Sequence, residues 1–328
     1  MAKTRRGAGT RRRKAGKRGD GPSPQQIRDA VERARGWLSE RRDYYGYLAR
    51  QSSRRGAPEM GGHLRGDILA RQDPDGSWGG DLAATAEAAW QLLDLGMSPD
   101  APALRRALDW LYTRRDAGGA YAEGCTPARH EQGVCEHYLT GFFSPGAADE
   151  PQEIALPNGQ SISSDASARL LASERALRTV LRIKPDDLRA RDSVSGLRGV
   201  PLYLDYGGTF TPALLVGAVQ ALTWSPGPPS GELTAGLDTL ASHQVRDGTW
   251  PNVEFFFVLE TLLEAPPARA LPMFERALPY LLKAQYNNGA WGRRYQAAQT
   301  WIGLQVLERV AAARRAAKLA ARSGATVR

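Results

Sequence analysis

The stretch Gln72-Asp73-Pro74-Asp75-Gly76-Ser77-Trp78-Gly79-Gly80 decides the reading of this chain. Its skeleton, Q-x3-G-x-W, returns at Gln244 to Trp250 (QVRDGTW) and at Gln285 to Trp291 (QYNNGAW). Asp-Gly and Asn-Gly pairs mark a tight turn in which the glycine takes positive φ. The Trp two residues on offers a large apolar ring that pins the turn to a core. The Gln amide can hydrogen-bond backbone groups at the end of the preceding helix. Each copy lies between two helical patterns, so it reads as the hinge of a helix-turn-helix unit.

Looser copies fill the gaps. Arg115 to Tyr121 (RDAGGAY) keeps the Gly and an aromatic residue, and Leu204 to Phe210 (LDYGGTF) does the same. The aromatic positions then fall at 78, 121, 210, 250 and 291, with steps of 43, 40 and 41 residues and one double step between 121 and 210. The double step calls for a degenerate copy, and Pro157-Asn158-Gly159-Gln160-Ser161 fits it, with Ser where the aromatic belongs. That makes six units. A period in this range means stacked supersecondary units, and six helical hairpins can close into a ring with inner helices around a central cavity.

The three full turns resemble the glutamine-tryptophan repeats of squalene-hopene-type terpenoid cyclases, and Asp81 to Trp90 (DLAATAEAAW) resembles the helix that follows such a turn in that family. The resemblance covers roughly residues 60–312. It implies an all-α fold, a single (α/α)6 toroid of the kind shared by terpenoid cyclases and the β subunits of protein prenyltransferases. Function sits in sites rather than folds, so activity has to be argued from particular residues.

At 328 residues with 42% hydrophobic content, the chain is long enough for one large core. The repeat divides it into a basic tail over 1–22, a toroid over 23–312 and a basic C-terminal extension over 313–328. The net charge of +9 is concentrated at the start: residues 1–20 carry nine Lys or Arg against Asp20 alone. Such a segment lacks the apolar residues to fold by itself. It weakly suggests nucleic acid or an anionic surface as a partner, but has no aromatic residue for stacking bases. No run is apolar enough for a transmembrane helix or a signal peptide, and a cytoplasmic location is the expectation.

Ser23-Pro24-Gln25-Gln26 is a helix start, with Ser as N-cap, Pro at the first helical position and Gln at the capping-box position. The helix is expected to run to about residue 50, followed by a loop over 51–62. Asp81 to Leu95 and Thr211 to Trp224 read as inner helices, and the last two units pair helices at 233–243, 252–264, 268–284 and 294–317.

Both cysteines and two of the four histidines fall together as Cys125-x4-His130-x4-Cys135-x-His137. Thiolate and imidazole are the ligands tetrahedral zinc prefers, although the spacing is not that of a zinc finger. A zinc site, a Cys125–Cys135 disulfide and unconnected loop residues all remain open, and a reducing compartment disfavours the disulfide. Prenyltransferases of the resembled fold hold catalytic zinc with an Asp, a Cys and a His from different repeats, a pattern this cluster does not reproduce. Class II terpenoid cyclases protonate their substrate from an Asp-x-Asp-Asp motif, which is absent. The class I Asp-Asp-x-x-Asp motif is approached only by Asp186-Asp187 with Asp192, at the wrong spacing.

Polar residues after the turns are the remaining candidates: Asp81, Glu87, Glu254, Arg293, Arg294 and Gln299. Asp81 reads first as a helix N-cap. Glu254 stands before Phe255-Phe256-Phe257, and an aromatic wall there would suit an apolar ligand; core packing is the competing reading. Taken together, the residues point to a toroid that binds an isoprenoid or other apolar small molecule, with a divergent zinc-dependent transferase as its enzymatic form. Two alternatives stand beside it: a carbohydrate-active (α/α) barrel of the polysaccharide lyase kind, and a non-catalytic scaffold for a protein partner.

Overall fold

The computed structural model describes residues 21–53, 57–116, 128, 141–146, 152–198, 206 and 211–324. Tyr121, Phe210 and the Cys125/His130/Cys135/His137 cluster lie outside the described residues, as does the basic tail up to residue 20.

Twelve helices are described: α1 (Pro24–Ser39), α2 (Tyr44–Ser52), α3 (Pro58–Leu69), α4 (Leu82–Asp94), α5 (Pro102–Thr113), α6 (Asp165–Ile183), α7 (Arg189–Arg198), α8 (Pro212–Thr223), α9 (Gly231–His243), α10 (Phe255–Glu264), α11 (Pro267–Ala284) and α12 (Gln296–Gly324). Two short strands, β1 (Glu153–Ala155) and β2 (Ser161–Ser163), pair antiparallel between α5 and α6. The inner ring runs α4–α6–α8–α10–α12–α2 by helix packing. A hydrogen bond from the Tyr44 hydroxyl to Asp94 closes it between α2 and α4. The other six helices pack around the outside, each against one or two inner neighbours. The fold is an all-α toroid.

The hinge turns work through one repeated set of bonds. In each, the residue after the Gln donates its N–H to the carbonyl four residues on: Asp73 to Ser77 at 2.9 Å, Val245 to Thr249 at 3.0 Å, Tyr286 to Ala290 at 2.9 Å. Gly76, Gly248 and Gly289 sit at φ of 100°, 89° and 95°, where an added Cβ would strike backbone of the adjoining outer helix. The Trp indole N–H donates to the carbonyl ten residues back, at 2.8 Å in all three copies (Ile68, Leu240, Leu281). The Gln amide does more than close its own turn. It donates to the next outer helix: Gln72 to Ala103 of α5 at 2.9 Å, Gln244 to Met273 of α11 at 2.9 Å and Gln285 to Ala30 of α1 at 3.0 Å. The last of these ties the end of the repeat to its beginning.

Three expectations need correcting. The single first helix is two, because Asp43 caps a new helix through the Gly46 N–H at 3.0 Å and the chain reverses between α1 and α2. The expected loop after it already contains α3, started by Pro58. The degenerate copy at 157–161 does form the turn, with Leu156 N–H to Gln160 at 2.7 Å and Gly159 N–H to Leu156 at 2.9 Å. However, it joins two strands rather than two helices, since Ile154, Leu156 and Ile162 alternate inward with the two-residue period of a hairpin.

Candidate functional site

A central cavity of about 300 Å³ lies within the ring. Its chemistry is set by α6, where Arg175, Arg178 and Arg182 follow one another at helical spacing and all face inward. Arg175 and Arg178 are 8% and 3% exposed, so their charges need partners. Neighbouring helices supply them. Arg175 meets Glu87 of α4 at 2.8 Å and Glu260 of α10 at 3.6 Å. Arg178 meets Glu260 at 3.3 Å and Glu264 at 3.0 Å. Arg182 pairs with Asp94. Trp224, the C-cap of α8, donates its indole N–H to Glu264 at 2.7 Å. The lining thus holds three guanidinium groups from α6 and four carboxylates, two from α4 and two from α10.

Burial works against the charge of Arg175, but Glu260 and Glu87 outweigh it and its pKa is raised. Burial also pushes Glu260 up, yet Arg175 and Arg178 overcome it and hold the carboxyl below its ordinary value. For Glu264 burial prevails over Arg178, and the pKa is raised.

The remaining wall is aromatic and apolar. Trp90 carries the Arg178 and Arg182 guanidinium carbons 3.6 and 4.0 Å from its ring centroid, and Trp224 meets its edge at 5.3 Å. Tyr44, Tyr45, Trp301, Leu48, Leu263 and Ile302 complete that side. Burial, and then the nearby Glu87 and Glu260 charges, raise the pKa of Tyr45 well above its ordinary value, so the phenol stays protonated. The Tyr45 and Gln305 side chains make no hydrogen bond among the described residues.

Pro157 and Asn158, at the tip of the β1–β2 hairpin, form the end of the cavity near the starts of α10 and α12. Asn158 donates to Glu260 at 2.6 Å, Glu254 N–H donates to Gln160 Oε1 at 3.1 Å, and Gln299 donates to the Asn158 carbonyl at 2.8 Å.

Of the residues singled out from the sequence, Glu87 lines the cavity. Asp81 is the N-cap of α4, bonded by the Ala84 N–H at 2.6 Å, and is exposed outside the lining. Glu254 is the N-cap of α10, accepting from Phe256 and Phe257 N–H, and Gln299 donates to it at 3.2 Å. Burial raises its pKa to about 7. It lies under the hairpin tip rather than in the cavity wall. Phe255, Phe256 and Phe257 are buried in the core between helices and do not line the cavity, so core packing wins over the aromatic-wall reading. Arg293 and Arg294 are exposed. The arginine triad on α6 and the Glu260/Glu264 pair escaped notice, although same-face charges on otherwise apolar helices are the signal that marks them. Among the described residues no group of three or more His, Cys, Asp or Glu is arranged to hold a metal, and no helix is long and apolar enough to cross a membrane.

No family model matches the chain, and no curated protein sequence matches it. Solved structures do. A protein from Actinoplanes superimposes with a TM-score of 0.56 at 15% identity, over 87% of this chain and 99% of its own. The type II terpene cyclase MstE from Scytonema, bound to its product merosterolic acid A, superimposes with a TM-score of 0.55 at 14% identity, over 88% of this chain and 98% of its own. The same enzyme bound to its substrate geranylgeranyl dihydroxybenzoate gives 0.53 at 13% identity, over 88% and 97%. At such identity the likeness carries no residue across and speaks of architecture alone: this chain folds as the type II terpene cyclases do.

Proposed function

We propose that the central cavity binds an isoprenoid, or a comparable hydrocarbon, that carries a polar oxygen-bearing head. The observation that carries this reading is the two-sided lining. Trp90, Trp224, Trp301 and Leu263 offer a wall for a hydrocarbon, while Tyr45, Gln305 and the Arg–Glu network offer hydrogen bonds to a head group. A purely apolar ligand would leave the polar side without partners, which costs free energy. The terpene cyclase neighbour's substrate joins a geranylgeranyl chain to a dihydroxybenzoate, which is that combination of parts. A polysaccharide lyase-like barrel expects a long groove lined by polar groups, and the hydrocarbon wall of Trp90, Trp224, Trp301 and Leu263 favours the isoprenoid reading over it.

Titrating the purified protein with geranylgeranyl dihydroxybenzoate while following tryptophan fluorescence tests the proposal, because three of the eight tryptophans line the cavity. Saturable quenching, weakened in Trp301→Ala, is expected. No saturable binding by folded protein would overturn it.

Zinc at Cys125, His130, Cys135 and His137 belongs to the same proposal as the source of transferase chemistry, and ligand type supports it. Elemental analysis checks it: near-stoichiometric zinc that is lost in Cys135→Ala is expected, and metal-free protein with both thiols reactive would remove it.

A further inference from the structure

We infer that the tip of the β1–β2 hairpin is a displaceable plug at the end of the ring, and that the Asn158 amide occupies there the place a ligand's hydroxyl takes on Glu260. This deepens the cavity reading above and rests on it.

The tip has the backbone of a hinge turn without the anchors of one. Its two internal bonds match those of the three hinges, and Gly159 sits at φ of 105° beside 100°, 89° and 95°. Yet Ala155 stands where the hinges have Gln, and Ser161 where they have Trp. No indole is driven into the core, and no Gln at the hinge position reaches a carbonyl of the next outer helix. Ile154, Leu156 and Ile162 are buried and hold the stem of the hairpin. The tip itself is tied to the ring through polar side chains: Asn158 to Glu260, Gln160 to the Glu254 N–H, and Gln299 to the Asn158 carbonyl. Asn158 and Gln160 are buried, so these bonds hold the tip against the ring, and a ligand group that supplies the same bonds can replace them.

Glu260 tells which ligand group would replace Asn158. Both guanidinium contacts, from Arg175 and Arg178, fall on Oε1. Oε2 receives the Asn158 amide. When the tip leaves, Oε2 loses its donor in a site withdrawn from bulk water and requires another. A third cation is disfavoured beside two guanidinium groups, so the replacement is a neutral donor, and a hydroxyl is the one an oxygen-bearing head supplies. With the tip in place the cavity, at about 300 Å³, is also at the lower bound of ordinary ligand pockets, roughly 300–1,000 Å³, and lifting the tip enlarges it at the end where the head would bind.

Wild type, Asn158→Ala and Asn158→Asp distinguish the outcomes, with circular dichroism confirming that each is folded. Asn158→Asp sets a carboxylate against Glu260, and Asn158→Ala serves should the charged variant fail to fold. Acrylamide quenching without any ligand reads the plug alone: a larger quenched fraction of tryptophan emission in the variants is expected, and unchanged quenching overturns the plug while leaving the cavity reading intact. Stopped-flow binding of geranylgeranyl dihydroxybenzoate should associate about tenfold faster in Asn158→Ala, the change expected when a hydrogen bond to a charged group is lost. The fully O-methylated analogue should bind Asn158→Ala more weakly than the free phenol, and equal affinity overturns the hydroxyl assignment. Increased quenching in the variants with no binding of either probe overturns the ligand reading and not the plug.

Discussion

Glu254 shows how one residue's environment changes its role. As N-cap of α10 it accepts from two backbone N–H groups, which favours its charge, but burial is the larger influence and raises its pKa from 4.5 to about 7. The folded protein therefore holds this proton more tightly than the unfolded chain does. The resulting stabilisation is complete below about pH 4.5, declines as pH rises and is gone above about pH 7. Glu254→Gln keeps an oxygen for the cap but has no proton to lose. Chemical denaturation between pH 5 and pH 8 should show the wild type losing stability relative to Glu254→Gln as pH rises, by on the order of 1–3 kcal/mol. Parallel curves would mean that Glu254 is more solvated than its place under the hairpin tip implies.

At the scale of the element, α6 is the wall on which two kinds of contact meet. Its inward face carries the arginine triad, and toward α8 it buries Glu174, whose two carboxyl oxygens have no hydrogen-bond partner among the described residues. Burial raises the pKa of Glu174 well above its ordinary value, so the side chain is neutral. Gly217 of α8 makes room for it, since a Cβ there would run into the carboxyl. The two positions should therefore be strongly coupled. In the wild type, Gly217→Ala is expected to destabilise by about 1–3 kcal/mol through overpacking. In a Glu174→Ala background the clash is absent, and the same change should stabilise by up to about 1 kcal/mol through helix propensity. Thermal or urea unfolding of the four proteins measures this reversal of sign. A Gly217→Ala effect that is the same in both backgrounds would contradict the contact.

For the whole molecule, the stapling glutamines turn a linear repeat into a ring. Gln72 and Gln244 each join one outer helix to the next within the chain's order. Gln285 joins the last turn to α1, a separation of 255 residues. Its amide oxygen accepts from Arg33 of the same helix at 2.6 Å. Both Gln244→Ala and Gln285→Ala should cost about 1–3 kcal/mol by leaving carbonyls short of a donor. Their distribution should differ. Amide hydrogen exchange is expected to rise across α1 in Gln285→Ala and to leave α1 unchanged in Gln244→Ala, because local opening follows the contacts that are lost. Equal protection of α1 in both variants would show that helix packing alone closes the ring.

The sequence by itself determined the repeat, its hinges and the all-α ring. Each hinge is written within seven consecutive residues, Gln to Trp, and the hydrogen bonds that shape the turn itself run over three to ten positions, so local spacing suffices to specify it. The same locality made Asp81 and the Ser23–Gln26 capping box readable in advance. Two features were left to the tertiary structure for the opposite reason. Gly159 carries the local turn signal, and only the inward alternation of Ile154, Leu156 and Ile162 against the ring makes it a hairpin. The three phenylalanines look like a cavity wall in one dimension, and the packing of α10 between its neighbours puts them in the core. The cavity was decided by tertiary structure. Glu260 meets Arg178 across 82 residues, Asn158 meets Glu260 across 102 and Arg175 meets Glu87 across 88. Such pairings have no local pattern, because a buried charge takes whichever partner the ring brings within reach.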